Sequence, residues 1–445
     1  MKPHNDLGQA VGDPFPNRGG ETVWAHLANA AVGLWLVTSP AAFGYAGTPM
    51  AWSDHVSGLL LIVFGLASVS PRRWWGPWAA FVVGLWLLFA PLVLWSESAA
   101  AYANSTLAGI VAIALALVVP RTLGSQELEP DLPPGWSFNP SSWVQRVPIV
   151  ALAWVSFMAS RYLATYQLGY GPQAWDPVFV EGTRNVLESE VSQAFPISDA
   201  GLGAVAYAME ALVGLMGNSS RWRTAPWLVA LFGVLVVPLG VVSIVLIMLQ
   251  PLAVGAWCFL CLVTAVTMLI MACLALPEVV GMVQYMDWTR RQGRSVWHTF
   301  WHGGPMYGGV EAAPVKLTDP VGRIVSGMVK GATAAWSLVA SAVVGVWLLL
   351  APVMLELEGA VADAHYLVGA LVVTVSVLAM AEVARTLRWV NLLLAAAIAA
   401  SPWVLTGSNE EGRWAALAAG VVLIVVTIPR GPILCRYGWW ERWIF

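Results

Sequence analysis

Long apolar runs recur along the whole 445-residue chain, at 23–43, 55–69, 75–95, 105–119, 147–166, 199–216, 227–250, 256–276, 332–355, 364–382, 389–405 and 413–428. About 20 apolar residues in a helix, at 1.5 Å per residue, cover the roughly 30 Å hydrocarbon layer of a bilayer. Inside that layer only helices and closed barrels satisfy every backbone hydrogen bond. The runs therefore predict an all-α polytopic membrane protein of about twelve transmembrane helices. Composition agrees: 58% of residues are hydrophobic and 11% charged, too few charges for the surface of a soluble domain. Many of the 26 tryptophans stand at run ends, where an indole suits the headgroup region.

A formal net charge of −3 leaves no basic footprint for nucleic acid, so the expected surroundings are membrane lipid. Four cysteines, Cys258, Cys261, Cys273 and Cys435, exclude a multi-disulfide ectodomain. Residues 1–22 are polar, with Pro14, Pro16, Gly19 and Gly20, and do not read as a cleavable signal peptide. Polar stretches at 121–146 and 277–330 divide the runs four, four and four. The expected domains are a four-helix membrane domain at 1–120, a linker at 121–146, a four-helix bundle at 147–285, an amphipathic linker at 286–330, and a second four-helix domain with a tail at 331–445.

Basic residues fall on alternate connections: Arg72 and Arg73, Arg121 and Arg146, Arg221 and Arg223, Arg290, Arg291 and Arg294, Arg385 and Arg388, then Arg430 and Arg436. The opposite connections carry Glu97, Glu188, Glu190, Glu356, Glu358 and Glu410. Positive-inside bias puts the arginine loops, both linkers and both termini in the cytoplasm of a bacterial-type inner membrane. The start of the eighth run then lies at the outer, oxidising side.

That start reads Gly255-Ala256-Trp257-Cys258-Phe259-Leu260-Cys261. Three residues apart on a helix, the two sulfurs share a face and close a disulfide with little backbone movement. Amide dipoles at a helix start also favour a thiolate, the reactive form in disulfide exchange. Zinc would need two more Cys or His ligands nearby, and none flank the pair. Read without chemistry, the pair is two small apolar packing residues. Cys273 lies about 22 Å further along the helix, too far to substitute, and Cys435 is on the tail.

The outer blocks repeat a two-helix unit. Gly33-Leu34-Trp35-Leu36 with Ser39-Pro40, Gly84-Leu85-Trp86-Leu87 with Ala90-Pro91, Gly345-Val346-Trp347-Leu348 with Ala351-Pro352, and Ser401-Pro402-Trp403 each end a run. The next run contains a glycine, such as Gly58, Gly109 or Gly369. Proline stops or kinks the first helix and glycine permits close helix contact. These units resemble the SPW-repeat membrane domains, whose Ser-Pro-Trp is complete here at Ser401–Trp403. The resemblance implies a four-helix scaffold.

The middle block resembles the vitamin K epoxide reductase family over 147–285. The residues that carry the resemblance are Ala256-Trp257-Cys258-Phe259-Leu260-Cys261-Leu262-Val263-Thr264-Ala265, Gly240-Val241-Val242-Ser243 with Leu249-Gln250, Asn185-Val186-Leu187-Glu188-Ser189, and Gly203 to Tyr207. It implies a four-helix bundle with its Cys-x-x-Cys at the outer end of the last helix, and quinone-linked thiol oxidation. Cys258 would exchange disulfides with the next thiol and Cys261 would face a quinone of the ubiquinone or menaquinone type. Trp257, Phe259, Asp199 and Ala265 are the expected quinone-binding residues. The family's second cysteine pair, in the loop after the first core helix, is missing: Thr183 or a close neighbour stands where one is expected.

Asp199, Arg161 and Glu210, the last about three turns deeper, are candidates to serve a quinone pocket; the structural alternative is an Arg161–Asp199 pair with Glu210 protonated or bonded to a neighbouring helix. His298 and His302 have i, i+4 spacing but no carboxylate or Cys beside them, and read as part of a helix on the membrane face, so no metal is expected. His55 and His365, near Asp54 and Asp363, read as interfacial packing and hydrogen-bonding residues. Two function classes follow. One is a membrane thiol/disulfide oxidoreductase, a redox enzyme, passing electrons from an extracytoplasmic dithiol protein to quinone through Cys258 and Cys261. The other is a non-enzymatic structural or assembly subunit of a larger membrane complex.

Overall fold

The structure, a computed structural model, describes residues 23–444 except 71–72, 74, 97, 119–131, 172, 307–308, 310–314 and 317. The expectations placed on residues 1–22, Arg72, Glu97 and 121–131 of the first linker, Arg121 included, lie outside the described residues. All twelve apolar runs fall on helices. In chain order the helices are α1 (Val23–Ala42), α2 (Pro49–Ser68), α3 (Gly76–Val93), α4 (Ala99–Ala116), α5 (Trp143–Gln167), α6 (Gly182–Leu187), α7 (Glu190–Gln193), α8 (Asp199–Leu215), α9 (Arg221–Thr224), α10 (Pro226–Leu249), α11 (Phe259–Arg291), α12 (Val296–His302), α13 (Val321–Met328), α14 (Trp336–Met354), α15 (Gly359–Met380), α16 (Val390–Val404) and α17 (Glu410–Thr427). Among the described residues no strand forms, only isolated bridges between Trp136 and Tyr437 and between Ala332 and Ala381.

Among the described residues nine helical spans are long and apolar enough to cross a membrane, α10 and α16 being counted with the helical turns that adjoin them, as 226–254 and 382–404. The remaining three that carry predicted runs differ for visible reasons. Polar His26 and Asn29 interrupt α1, α8 has only 17 residues, and α17 opens on Glu410 and Glu411. Helix starts follow local chemistry: Thr48, Ser98, Ser198 and Asn409 each accept a backbone N–H of the first turn they cap.

The chain forms two compact units, Met1–Glu129 and Pro130–Phe445. In the first, α1 pairs with α2 and α3 with α4 through reciprocal glycine contacts. A Cβ on Gly33 would stand 2.4 Å from the Gly58 carbonyl oxygen, and one on Gly109 2.8 Å from that of Gly84, so any side chain there would push the helices apart. The pattern returns in the second unit, where a Cβ on Gly345 would stand 2.9 Å from the Gly369 carbonyl oxygen. In the fourth copy Ala395 takes the place of the first glycine, and its carbonyl lies 2.8 Å from a Cβ built on Gly420.

Asp54 is a buried hub of the first unit. It accepts hydrogen bonds from Tyr45 Oη (2.6 Å) and Ser105 Oγ (2.9 Å), while Asn104 Nδ2 donates to Tyr45 Oη (3.1 Å) and Ser39 Oγ (2.9 Å). His365 occupies the corresponding place in the second unit and is also buried, with Nδ1 2.8 Å from the Val361 carbonyl oxygen. His365 thus packs and hydrogen-bonds within its helix pair.

In the second unit α5, α8, α10 and α11 form a bundle, and α15 packs along α10 and α11. The arginine-bearing connections gather at one end. Gln145 Nε2 donates to the Lys330 carbonyl (2.9 Å), Asn139 Nδ2 to that of Ser219 (2.8 Å) and Gln284 Nε2 to that of Tyr437 (2.9 Å). Glu382 holds the tail there, accepting from Leu434 N–H (2.9 Å), Cys435 N–H (3.0 Å) and Tyr437 Oη (2.9 Å).

One boundary differs from the sequence reading. Helix α11 runs through Pro277 to Arg291, whereas proline was expected to open the linker. Pro277 forfeits one backbone hydrogen bond, but Glu278 beside it is clamped by Arg221 (2.6 Å) and the Pro277 ring lies in contact distance of Gly331. Tertiary contacts on both sides carry the helix past the break.

Candidate redox site

The last turn of α10 widens into a π-helical turn, Gln250–Val254, and Gly255 at φ 68° reverses the chain into α11. Left-handed φ is cheap only without a Cβ. The reversal brings Gln250 beside Cys258: the Cys258 N–H donates to Gln250 Oε1 at 2.9 Å. Cys258 is the N-cap of α11, and its Sγ accepts the Cys261 N–H at 3.2 Å. The two sulfurs are joined, with Cα atoms 5.3 Å apart. On reduction, that N–H and the aligned amides of α11 would stabilise a Cys258 thiolate.

Cys258 is fully buried and packs with Leu163 of α5 and Leu187 of α6, whereas Cys261 is partly exposed. The cover over Cys258 is the segment between α5 and α8. A Cβ on Gly182 would stand 2.2 Å from the Trp257 carbonyl oxygen, so α6 seats directly on the residue before the cysteine. Thr183 is buried, and its hydroxyl donates to Asp176 Oδ2 at 2.6 Å. Asp176 also accepts the N–H groups of Val178 (3.0 Å), Phe179 (2.7 Å) and Thr183 (3.0 Å). The far end of α6 is tied by Tyr166 Oη to Glu188 Oε1 at 2.6 Å.

The expected quinone-binding residues surround this point with different environments. Trp257 meets Tyr366 of α15 edge-on at 5.9 Å, and Phe259 meets Trp175 of the cover edge-on at 5.9 Å. Ala265 is buried one turn beyond Cys261. Asp199 opens α8 and accepts from Gln167 Nε2 (2.5 Å) and Ser192 Oγ (2.9 Å), so it anchors the cover, while Arg161 lies over the Phe157 ring at 5.8 Å. Its neighbour Ala200 packs with the Cys258 cluster. His298 and His302 stack with ring centroids 4.4 Å apart, and among the described residues no group of three or more His, Cys, Asp or Glu is placed to hold a metal ion. Cys273 and Cys435 are free thiols within one hydrophobic cluster away from the pair.

Sequence reasoning missed Gln250 and Asp176 as site residues. Asp176-Pro177 carries a turn signature, but nothing local indicates that the turn closes over Cys258. Burial pushes the Asp176 carboxyl up, yet the hydrogen bonds from Thr183, Phe179 and Val178 outweigh it and hold the group below the usual carboxylate range. Its contribution to the cover is therefore complete above the unfolded value of about 4 and is lost as pH falls through the depressed folded value. Asp176→Ala is expected to raise the rate at which reduced Cys258 is alkylated at neutral pH by about tenfold, since hydrogen bonds to a charged group contribute about 1.5–3 kcal/mol. An unchanged alkylation rate would show that this turn does not control access.

A helix-capping dithiol at one end of a four-helix bundle, inside an all-α polytopic membrane protein, defines a membrane thiol oxidoreductase-like fold. Comparison with family models makes this specific: residues 147–276 match the vitamin K epoxide reductase family, and residues 23–119 and 335–429 match the SPW repeat domain. The chain thus carries a vitamin K epoxide reductase family domain between two SPW repeat domains. Neither a curated protein nor a solved structure gives a significant match to the chain.

Proposed function

We propose that this protein is a membrane thiol/disulfide oxidoreductase that passes electrons from an extracytoplasmic dithiol protein to membrane quinone through Cys258 and Cys261. The observation that carries the reading is Cys258 as the cap of α11, joined to Cys261 and bonded through its N–H to Gln250. A packing pair needs neither the cap nor the disulfide. The site end is taken as extracytoplasmic, with both termini in the cytoplasm, because the arginine loops gather at the other end.

In the first half-reaction a partner thiolate attacks Cys258 Sγ and Cys261 leaves as thiolate; the partner's second thiol then displaces Cys258, so the partner is oxidised and the pair reduced. Because Thr183 stands in the loop where a relay cysteine is expected, the partner meets Cys258 directly, after the α6 cover moves aside. In the second half-reaction the two thiols close again, releasing two electrons and two protons. A bound quinone supplies the two-electron acceptor. The residues fit such a group: partly exposed Cys261 shares the start of α11 with the aromatic Trp257 and Phe259, the small Ala265 follows one turn on, and a carboxyl without a hydrogen-bond partner, Glu210, lies deeper in the same bundle.

The test uses purified membranes containing the whole chain, a reduced dithiol and a short-chain quinone. Quinol formation is expected, and Cys258→Ser and Cys261→Ser should each abolish it. Undiminished turnover in both variants ends the enzymatic reading. The packing of α15 along the bundle, with Tyr366 against Trp257, favours a second reading, a structural or assembly subunit of a larger membrane complex. In that case the serine variants lose no quinol formation and the chain copurifies with other subunits.

A further inference from the structure

Glu210 stands in the middle of α8, fully buried, and neither carboxyl oxygen has a hydrogen-bond partner. Helices α5 and α10 pack against α8, and α11 meets it through the Tyr207 hydrogen bond to Thr264. Helix α10 contains no charged residue. The charged residues of α5 sit toward its two ends, Arg146 on the carbonyls of Gly214 to Gly217 and Arg161 over Phe157. On α11, Glu278 is bound by Arg221. Tyr207, one turn before Glu210 on the same face of α8, is its titratable neighbour. An ionised carboxylate here would be desolvated with no compensating charge, at a cost of several kcal/mol, so the side chain is retained as the acid. A structural carboxyl would have taken a partner, as Asp54, Asp176 and Glu278 do.

A short polar track reaches Tyr207, the neighbour of the acid on α8. Tyr207 Oη donates to the Thr264 carbonyl at 3.4 Å. Thr264 Oγ1 donates to the Cys261 carbonyl at 2.9 Å. Beside them Thr267 Oγ1 donates to the same Thr264 carbonyl at 2.8 Å and shares a 2.5 Å contact with Ser156 Oγ. The track runs from the Cys261 carbonyl to the Tyr207 hydroxyl, and Tyr207 lies three residues before Glu210 on α8.

We propose that Glu210 is the internal proton donor for the quinone-facing half-reaction, acting through the Tyr207 hydroxyl; the inference rests on the oxidoreductase reading. Closing the Cys258–Cys261 bond releases two electrons and two protons, and the quinone takes up two of each. Tyr207 passes its hydroxyl proton to a quinone oxygen and takes the Glu210 proton in exchange. The proton leaving the Cys261 thiol restores the acid, and the proton leaving the Cys258 thiol goes to the second quinone oxygen, so Glu210 is unchanged over a turnover.

The experiment combines infrared spectroscopy of the whole chain in membranes with two separate rates: quinol formation, and dithiol exchange at the Cys pair without quinone. The unsubstituted protein is expected to show a protonated carboxyl C=O band at neutral pH that Glu210→Gln removes. Glu210→Gln should slow quinol formation about a hundredfold and leave dithiol exchange unchanged, which also shows that the variant is folded. Tyr207→Phe should slow quinol formation while keeping the band. Normal quinol formation in both variants, or an ionised Glu210, overturns the inference alone. Absence of quinol from the unsubstituted protein overturns the oxidoreductase reading and this inference with it.

Discussion

Cys261→Ser is expected to accumulate a stable mixed disulfide through Cys258 when it is mixed with the disulfide of a monothiol, since attack by the Cys258 thiolate releases one thiolate and leaves no second partner thiol to displace Cys258. Cys258 accepts the Cys261 backbone N–H at 3.2 Å and sits where the α11 amides converge. Both features survive the substitution, so the Cys258 thiolate keeps its stabilisation while the sulfur that would displace a bound partner is gone. In Cys258→Ser the remaining Cys261 lies beyond the cap position, inside the first turn, and should trap far less. The effect is close to all or none, because a lone thiol cannot regenerate an intramolecular disulfide. Mass spectrometry of non-reduced protein reads the adduct and its site. Equal trapping at Cys258 and Cys261 would remove the assigned division of labour between them.

Glu278→Ala should destabilise the bundle by about 3–5 kcal/mol, the range for removing one partner of a buried ion pair. Arg221 Nε and Nη2 each lie 2.6 Å from a Glu278 oxygen, and the two side chains are 0% and 3% exposed. Ser141 Oγ donates a further bond at 2.5 Å. Arg221 Nη1 also caps the end of α8, donating to the carbonyls of Val213 (2.7 Å) and Met216 (2.9 Å), and Arg146 Nη1 shares the Met216 carbonyl at 2.8 Å. Two cations at a helix C-terminus suit its dipole, but their mutual repulsion is offset by the single carboxylate. Without Glu278 two buried guanidinium groups face each other. The double replacement Arg221→Met with Glu278→Leu should recover much of the loss, as buried pairs often exchange for apolar residues at little cost. The midpoint of thermal unfolding in detergent reads both. A Glu278→Ala variant that unfolds with the unsubstituted protein would show that this network contributes nothing.

Much of the architecture is legible in the chain because it is written locally. Apolar runs mark every long helix, and the Gly and Pro spacing marks the paired units: Gly33 with Gly58 and Gly84 with Gly109 meet at carbonyl contact, as small residues before a helix-ending proline suggest. The start of an apolar run marks where the dithiol sits, but that Cys258 is the cap, one residue before the helix, comes from the structure. By contrast, Pro277 suggests a helix end that Glu278 and its partners override, and Asp54 next to His55 suggests an interface where the fold makes a buried hub.

By itself the sequence determined the class of protein, the helical segments, the repeat pairing and the placing of the dithiol at the start of a helix, because each depends on hydropathy or on chemistry within a turn or two. Only the tertiary structure decided what holds and hides that dithiol: Gln250 reaching Cys258 across a π-turn, Asp176 folding the α6 cover over it, Arg221 meeting Glu278 across 57 positions, and Glu210 left without a partner. These relations select one polar partner among many of the same type, and that selection is made by the packing of helices distant in sequence, which no local pattern records.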